Sequence, residues 1–488
     1  MRKLRWAGVV FLLLLAFVPN LLADETELLH LIKNLQNQMT ELQNTLKQQS
    51  NQLEEQHQEI RELKNRSAQV QVAPSAGLEA PVSTGLTDAE FKERVSTSLG
   101  GADKWLKGLK LSGDLRLRYE AIQLSTGDPS DPPDRNRFRL RVRYGLEKTL
   151  NPDMKLGFEL SSGEQTDGFQ NGPGSSNQTF TNLFNYKNIW ISKAYATYTP
   201  SFLKIGPIQK VEIGAGKVNN PFEKGASDLV WDRDVKPEGM YEKVDIGLLK
   251  TNSLDFNFYA TAGQFVLQES NTKGKDANLF GYQAGITPSI YLPFLRKPVD
   301  ILSAISYYDY DNFTRKSNFF IGSVSQANGN FNVDSDPTTL DARNFNIVES
   351  YSEVAFYPYN IPARFYFDFA RNTREAVPAA SITTPKDDDN AYAVGLKISE
   401  VKKKHDLEAS YTYKYLPGNS LVGVFTESDF GNTGFAGHRG SVIRLGYGLS
   451  DSLILNAAAI LTDNTNSGAP GMMDIQQRRF QVDLTWKF

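Results

Sequence analysis

Arginines recur at every second position in two stretches of the chain, Arg116–Arg118 and Arg137–Arg139–Arg141–Arg143. On an extended backbone, alternate residues share one face, so each set forms a row. Guanidinium groups stay charged and grip carboxylates or phosphates with paired donors. An unneutralised row would therefore gather anions. The opposite charge collects further on, at Asp228, Asp232, Asp234 and Glu238, with Pro221, Phe222 and Trp231 between and before them. If that segment faces the arginines, the two sets create a transverse field with balanced charge. Catalytic chemistry has little support. His30, His57, His405 and His438 are scattered, and cysteine is absent, which removes thiolate nucleophiles and thiolate metal sites. Gly214-Ala215-Gly216-Lys217 fails the phosphate-loop pattern at both ends, and Gly172-Pro173-Gly174 lacks the third glycine of a dinucleotide fingerprint. Asp387-Asp388-Asp389 reads as a solvated charge run. The expectation is no enzyme, no cofactor and no metal. With 53 Lys+Arg against 56 Asp+Glu, the net charge of −3 argues against a nucleic-acid partner.

The rows need strands to hold them, and the sequence supplies these. Leu109, Leu111, Gly113, Leu115, Leu117 and Tyr119 alternate with Lys110, Ser112, Asp114, Arg116, Arg118 and Glu120. Phe138, Leu140, Val142 and Tyr144 alternate in the same way with the second arginine row. Two paired strands would bring the rows to within about 5 Å of each other. Sixteen such segments are expected between Leu109 and Phe488, with Ser317–Val324 as a further candidate inside a long loop. Long linkers rich in Gly, Asn, Asp and Ser alternate with short turns such as Asn151–Asp153 and Ser450–Ser452. That layout predicts an all-β fold, a transmembrane antiparallel barrel of the outer membrane with both ends on the short-turn side. A soluble sandwich or solenoid is the alternative, but a closed core could not hide rows of Arg, Asp and Glu.

The amino-terminal region has a different character. Residues 1–23 combine Arg2, Lys3 and Arg5 with an apolar run over Val9–Val18 and then Ala23, which predicts a secretory signal peptide. An uncleaved anchor is the alternative. From residue 24 to 66, Leu28, Ile32, Leu35, Met39, Leu42, Leu46, Gln49, Leu53, Gln56, Ile60 and Leu63 follow a heptad seam. A self-associating coiled coil about 60 Å long is expected there, in the periplasm, as a dimer or trimer. The alternative is a single amphipathic helix. Residues 67–108 read as a linker with a short helix, leaving 109–488 for the barrel.

The last strand sets Phe480, Val482, Leu484, Trp486 and Phe488 against Gln481, Asp483, Thr485 and Lys487. Its aromatic end, Trp486 and Phe488, resembles the assembly signal that the barrel assembly machinery reads in bacterial outer-membrane proteins. Stretches including KLSGDLRLRYE, RNRFRLRVRYGLEKTLNPDMKLGFELSSG, KNIWISKAYATYTP and GKVNNPFEKGASDLVWDRDVKPEG, with the terminal VDLTWKF, resemble the "putative porin" family of Gram-negative outer membranes. With its amino-terminal coiled coil, the layout is also similar to that of phosphate-selective porins. The resemblance implies a sixteen-stranded, trimeric, water-filled channel in the outer-membrane lipid bilayer, without fixing the solute. In such porins the third long loop folds inward and narrows the pore, which makes Asp228, Trp231, Asp232, Asp234 and Glu238 a candidate constriction. The expected function is passive diffusion of small polar solutes and ions, with a mild anion preference from Arg116, Arg118, Arg137, Arg139, Arg141 and Arg143. The alternative is a structural tether joining the outer membrane to the cell wall through the coiled coil, with conduction secondary.

Overall fold

A computed structural model describes residues 108–126, 133–163, 175–181, 183–269, 276–312, 345–374, 389–418, 420–431, 436–465 and 475–488. The signal peptide, the coiled coil, all but the last residue of the expected linker and the extra strand at Ser317–Val324 lie outside them.

Among the described residues there are seventeen strands: β1 (Leu109–Ser125), β2 (Arg135–Asn151), β3 (Met154–Ser162), β4 (Gln178–Thr179), β5 (Ile189–Tyr198), β6 (Ile208–Lys217), β7 (Glu238–Lys250), β8 (Leu254–Gln268), β9 (Ala277–Ile290), β10 (Val299–Asp311), β11 (Asn346–Phe356), β12 (Ala363–Asn372), β13 (Asn390–Ile398), β14 (Leu407–Leu416), β15 (His438–Gly448), β16 (Leu453–Asn464) and β17 (Gln476–Lys487). The two-residue β4 pairs with Arg139 and Leu140 inside a long loop. The other sixteen pair with their neighbours in sequence, all antiparallel, and β17 returns to β1 to close the sheet. This is the sixteen-stranded barrel that the alternation predicts.

The seam closes at Gly113. Its N–H donates to Phe488 O at 2.8 Å, and Phe488 N–H donates back to Gly113 O at 3.1 Å. A Cβ on Gly113 would lie 2.6 Å from the Phe488 ring and would also strike the Arg143 carbonyl. The terminal aromatic can lie flat on the seam only because residue 113 has no side chain.

Exposure follows the alternation. Leu111, Phe138, Phe365 and Leu445 on the outer face are 52%, 58%, 49% and 55% exposed, whereas Glu120, Glu349, Asp368 and Lys414 on the inner face are 0–1% exposed. Water would favour the reverse arrangement, so lipid is the solvent that suits this surface. Outer-face aromatics pair near the strand ends, as Tyr392 does with Tyr415 at 5.4 Å and Tyr119 with Phe138 at 5.2 Å. That placement fits interfacial girdles.

The strands reach further towards the long loops than the hydrophobic pattern predicts. β17 starts at Gln476 instead of Arg479, and β7 at Glu238 instead of Tyr241. Past the bilayer edge both faces meet water, so the apolar alternation fades while the backbone ladder persists. Glu238 is therefore not a loop residue. It opens β7, pairs with Lys217 across the ladder, and, itself exposed, holds the half-buried Lys217 ammonium at 2.5 Å.

A hydrophobic core also sits inside the barrel. Phe222, Leu229, Val230, Trp231 and Val235 from the 218–237 loop pack with Leu421, Val422, Phe425 and Phe430 from the 417–437 loop and with Tyr308, Tyr310, Phe265 and Ile347 of the wall. Burying one such side chain contributes about 1.5–3 kcal/mol, enough to draw both loops inward.

Candidate conduction site inside the barrel

The arginine rows meet as the register requires, with Arg116 opposite Arg141 and Arg118 opposite Arg139 in the β1–β2 ladder. Like charges at this spacing repel, and the surroundings supply compensation. Asp114 accepts from Arg141 Nε at 2.8 Å and from Arg143 Nε at 2.7 Å. Glu120 accepts from Arg137 Nε at 2.6 Å and from Gln481 Nε2 at 2.8 Å. Asp483 accepts two hydrogen bonds from Arg118, at 2.7 and 2.8 Å, and lies 3.7 Å from Arg116. Arg116 also donates to Asn177 Oδ1, and Arg139 donates to the Asn177 carbonyl at 3.4 Å. All six predicted arginines thus stand on one wall, with the acids of that wall beside them.

The 218–237 loop crosses the interior. Local turns shape it: Asn220 Oδ1 accepts from Phe222 N, Ser227 Oγ from Leu229 N, and Asp232 Oδ1 from Asp234 N at 2.7 Å. Gly225 presses so closely on Ala304 and the Tyr259 hydroxyl that a Cβ would lie 2.5 Å from the alanine methyl. Gln283 of β9 donates to the Phe222 and Gly225 carbonyls, and Asp368 of β12 accepts from Ser227 Oγ at 2.6 Å. Asp228 then pairs with Lys414 of β14 at 3.0 Å. At the far end Asp234 reaches Arg143 at 3.4 Å and accepts from Ser176 Oγ at 2.8 Å. Trp231 is buried, edge-on to Tyr308 at 5.4 Å and stacked on Phe425 at 5.3 Å. Of the five residues expected here, Asp228, Trp231, Asp232 and Asp234 come together inside the barrel, and Glu238 stays outside.

Burial raises the carboxyls of Asp228, Asp232 and Asp234, and their neighbours decide the outcome. Lys414, Arg444 and Arg233 outweigh burial at Asp228, and Arg141 and Arg143 do so at Asp234, so both are held below the usual carboxylate range. Asp232 goes the other way: burial, then the charges of Asp234 and Glu427, push it well above that range.

Sequence reasoning missed a second inward segment, residues 420–431. Asp232 N donates to Phe425 O at 2.6 Å, and Ser428 N donates to Asp232 Oδ2 at 3.2 Å. Glu427 takes Lys414 at 2.6 Å and also Arg444, while Asp429 takes Arg118 at 2.8 Å and Arg479 at 2.6 Å. A signal was present. Leu421, Val422, Val424, Phe425 and Phe430 make this stretch too apolar to remain in water.

Towards the short-turn end the lumen opens into a cavity of about 440 Å³. Arg116, Arg118, Arg141, Arg143, Arg444, Lys397 and Lys487 line it with the acids Asp483, Glu400 and Glu408. His405 and His438 lie apart, on Tyr447 and the Ala436 carbonyl, and Gly214–Lys217 is part of strand β6.

A closed antiparallel sheet with an apolar outside and a charged, hollow inside defines a transmembrane β-barrel channel. The family model described as "Putative porin" matches residues 130–346 and 338–488, and the chain belongs to that family. It is an outer-membrane porin. Among solved structures, OprB of Pseudomonas putida is similar at 12% identity and a TM-score of 0.47, covering 80% of this chain and 97% of that one. OmpF of Salmonella typhi, in complex with daunomycin, is similar at 11% identity and a TM-score of 0.42, covering 78% and 97%. A trimer form of OmpT from Vibrio cholerae is similar at 12% and 0.39, covering 78% and 99%. No curated protein sequence matches the chain.

Proposed function

We propose that the channel passes small polar solutes and ions by passive diffusion, with a mild anion preference. One observation carries this reading: the arginine wall is met directly by loop carboxylates, Asp234 on Arg143 and Asp429 on Arg118, that offset most, but not all, of its charge. Of the seven cationic side chains lining the cavity at the short-turn end, Asp114, Asp234, Glu427 and Asp429 pair four, while Arg116 shares Asp483 with Arg118 and Lys487 has no ion pair among the described residues. Asp228, Trp231, Asp232 and Asp234 form the constriction, and Arg116, Arg118, Arg137, Arg139, Arg141 and Arg143 line the path beside it. Reversal potentials across planar bilayers in a salt gradient test this. A modest anion preference is expected, and a clear cation preference would overturn it.

The working unit is a homotrimer in the outer-membrane bilayer. Glu242 of β7 supports self-association. It faces outward, opposite Ile213 and Ala262 in its ladders, with no hydrogen bond or ion pair among the described residues. A carboxylate facing lipid is costly, and a protein interface offers it donors. Leu183, Phe184 and Tyr186 add an apolar tip that is 96–103% exposed. Native mass spectrometry should give three chains per particle, and a stable monomer would sink the trimer. Trp486 and Phe488 serve as the signal for the barrel assembly machinery. Residues 24–66 form the periplasmic coil. Their unbroken heptad seam also supports a second reading, a tether to the cell wall. Deleting them while preserving conductance but losing envelope cohesion would favour the tether, and loss of trimers would favour an assembly role.

A further inference from the structure

Residues 420–431 spread charge contacts over four strands with two side chains. Glu427 meets Lys414 of β14 and Arg444 of β15. Two residues on, Asp429 meets Arg118 of β1 and Arg479 of β17, and Gln481 of β17 donates to it at 3.0 Å. The segment is held in place by other means: Leu421, Val422 and Phe430 are 0–2% exposed, Thr426 Oγ1 donates to the Gly423 carbonyl at 2.8 Å, and Phe425 stacks on Trp231. The apolar anchor therefore does not depend on the two acids, which leaves them free to serve electrostatics.

The cations they touch differ in how far they depend on them. Arg118 keeps Asp483 as a second partner, and Lys414 keeps Asp228. Arg479 has one ion-pair partner among the described residues, Asp429, and its Nε is buried without an acceptor. Burial alone would raise the Asp429 carboxyl, but Arg118, Arg479 and Arg139 reverse this and hold it well below the usual range, so it stays charged at neutral pH.

We propose that Glu427 and Asp429 set the channel's ion selectivity as built-in counter-ions: the 420–431 segment masks an inner wall that is otherwise strongly anion-selective. This rests on the reading of the protein as a conducting channel. Removing one carboxylate uncovers one positive charge beside the ion path. Because it attracts anions and repels cations equally, the permeability ratio moves by the square of the single-ion effect. A change of about four- to tenfold follows for a charge some 6 Å from the path in 0.1 M salt.

The test is the anion-to-cation permeability ratio of the full-length protein in planar bilayers, for wild type, Asp429→Asn, Glu427→Gln and the pair Asp429→Asn with Arg479→Gln. The folded barrel is checked by its resistance to SDS before heating. Each single acid variant should raise the ratio about fourfold or more, and the charge-balanced pair should return it towards wild type. Conducting single variants with an unchanged ratio would overturn the proposal. So would a pair no closer to wild type than Asp429→Asn, because loss of packing, not charge, would then explain the change. A folded wild type that does not conduct would instead refute the channel reading beneath it. Should Asp429→Asn fail to fold, Glu427→Gln decides the matter alone, since it touches different strands.

Discussion

Replacing Asp114 by Asn tests the arginine wall where it borders the cavity. The Asp114 carboxylate lies 2.7 Å from both Arg141 Nη2 and Arg143 Nε. Asparagine keeps the shape and one acceptor oxygen but removes a unit charge. Arg143 retains Asp234, so the uncovered charge is centred on Arg141. An ion passing about 6 Å away in a water-filled lumen feels about 0.7 kcal/mol from one charge at a dielectric constant near 80. Anions gain this amount and cations lose it, so the ratio shifts by about 1.4 kcal/mol, or tenfold. Screening over a Debye length of about 10 Å at 0.1 M salt trims this to about fourfold. Reversal potentials in a tenfold KCl gradient should therefore swing towards the chloride potential, and the swing should shrink as salt is raised. A folded, conducting variant whose ratio changes by less than about 1.5-fold would place Asp114, Arg141 and Arg143 outside the ion path and refute the reasoning.

Four further outcomes follow from the same geometry. Between about pH 4 and neutrality, Asp228, Asp234 and Asp429 should not titrate: acids held low keep their contribution until pH falls through their depressed values, so their loop–wall pairs are lost only in stronger acid. Asp232 has the opposite sign. Held high, it ionises as pH rises above the ordinary carboxylate value, so anion preference should decline with rising pH, and Asp232→Asn should abolish that step in reversal-potential titrations. Gly113→Val should prevent seam closure, because its side chain occupies the place of the Phe488 ring; SDS resistance before heating should be lost. Trp231→Ala removes the ring wedged between Tyr308 and Phe425, costing about 3–5 kcal/mol of loop packing, and single-channel conductance should rise.

The barrel was legible because lipid imposes a strict rule on every strand: apolar out, polar in, two residues per repeat. Leu109–Tyr119 and Phe480–Phe488 obey it so closely that the strand and its faces follow from the alternation of residues, and the expected side of the termini follows from the alternation of long linkers and short turns. The inner wall was half legible. Period two puts Arg116, Arg118, Arg139 and Arg141 on one face, but periodicity cannot say which acids answer them. Asp114 and Glu120 stand in the same row of β1 as the arginines, so their role was within reach of a register argument. Asp483 required knowing that β17 closes on β1. Asp429 and Glu427 were out of reach by this route, since a loop has no period and the contacts span up to 311 residues of sequence. Glu238 was misplaced because a ladder can outrun the membrane that reveals it.

The distribution of charge has a physical logic. A strand can carry only one residue per 6.6–6.8 Å on its inner face, so a wall built of two arginine rows has few places left for acids. Three wall acids, Asp114, Glu120 and Asp483, already serve Arg116, Arg118, Arg137, Arg141 and Arg143. Further neutralisation has to come from chain that is not bound to the sheet, and only the long loops can supply it. Two of them do so with one design: buried aromatics at Trp231 and Phe425 fix the segment, and acids within four residues, Asp234 and Asp429, meet the wall. Anchor and charge occupy different side chains. A loop acid can therefore change without dismantling the barrel, and the selectivity of a porin built this way can drift through its loops while its wall stays the same.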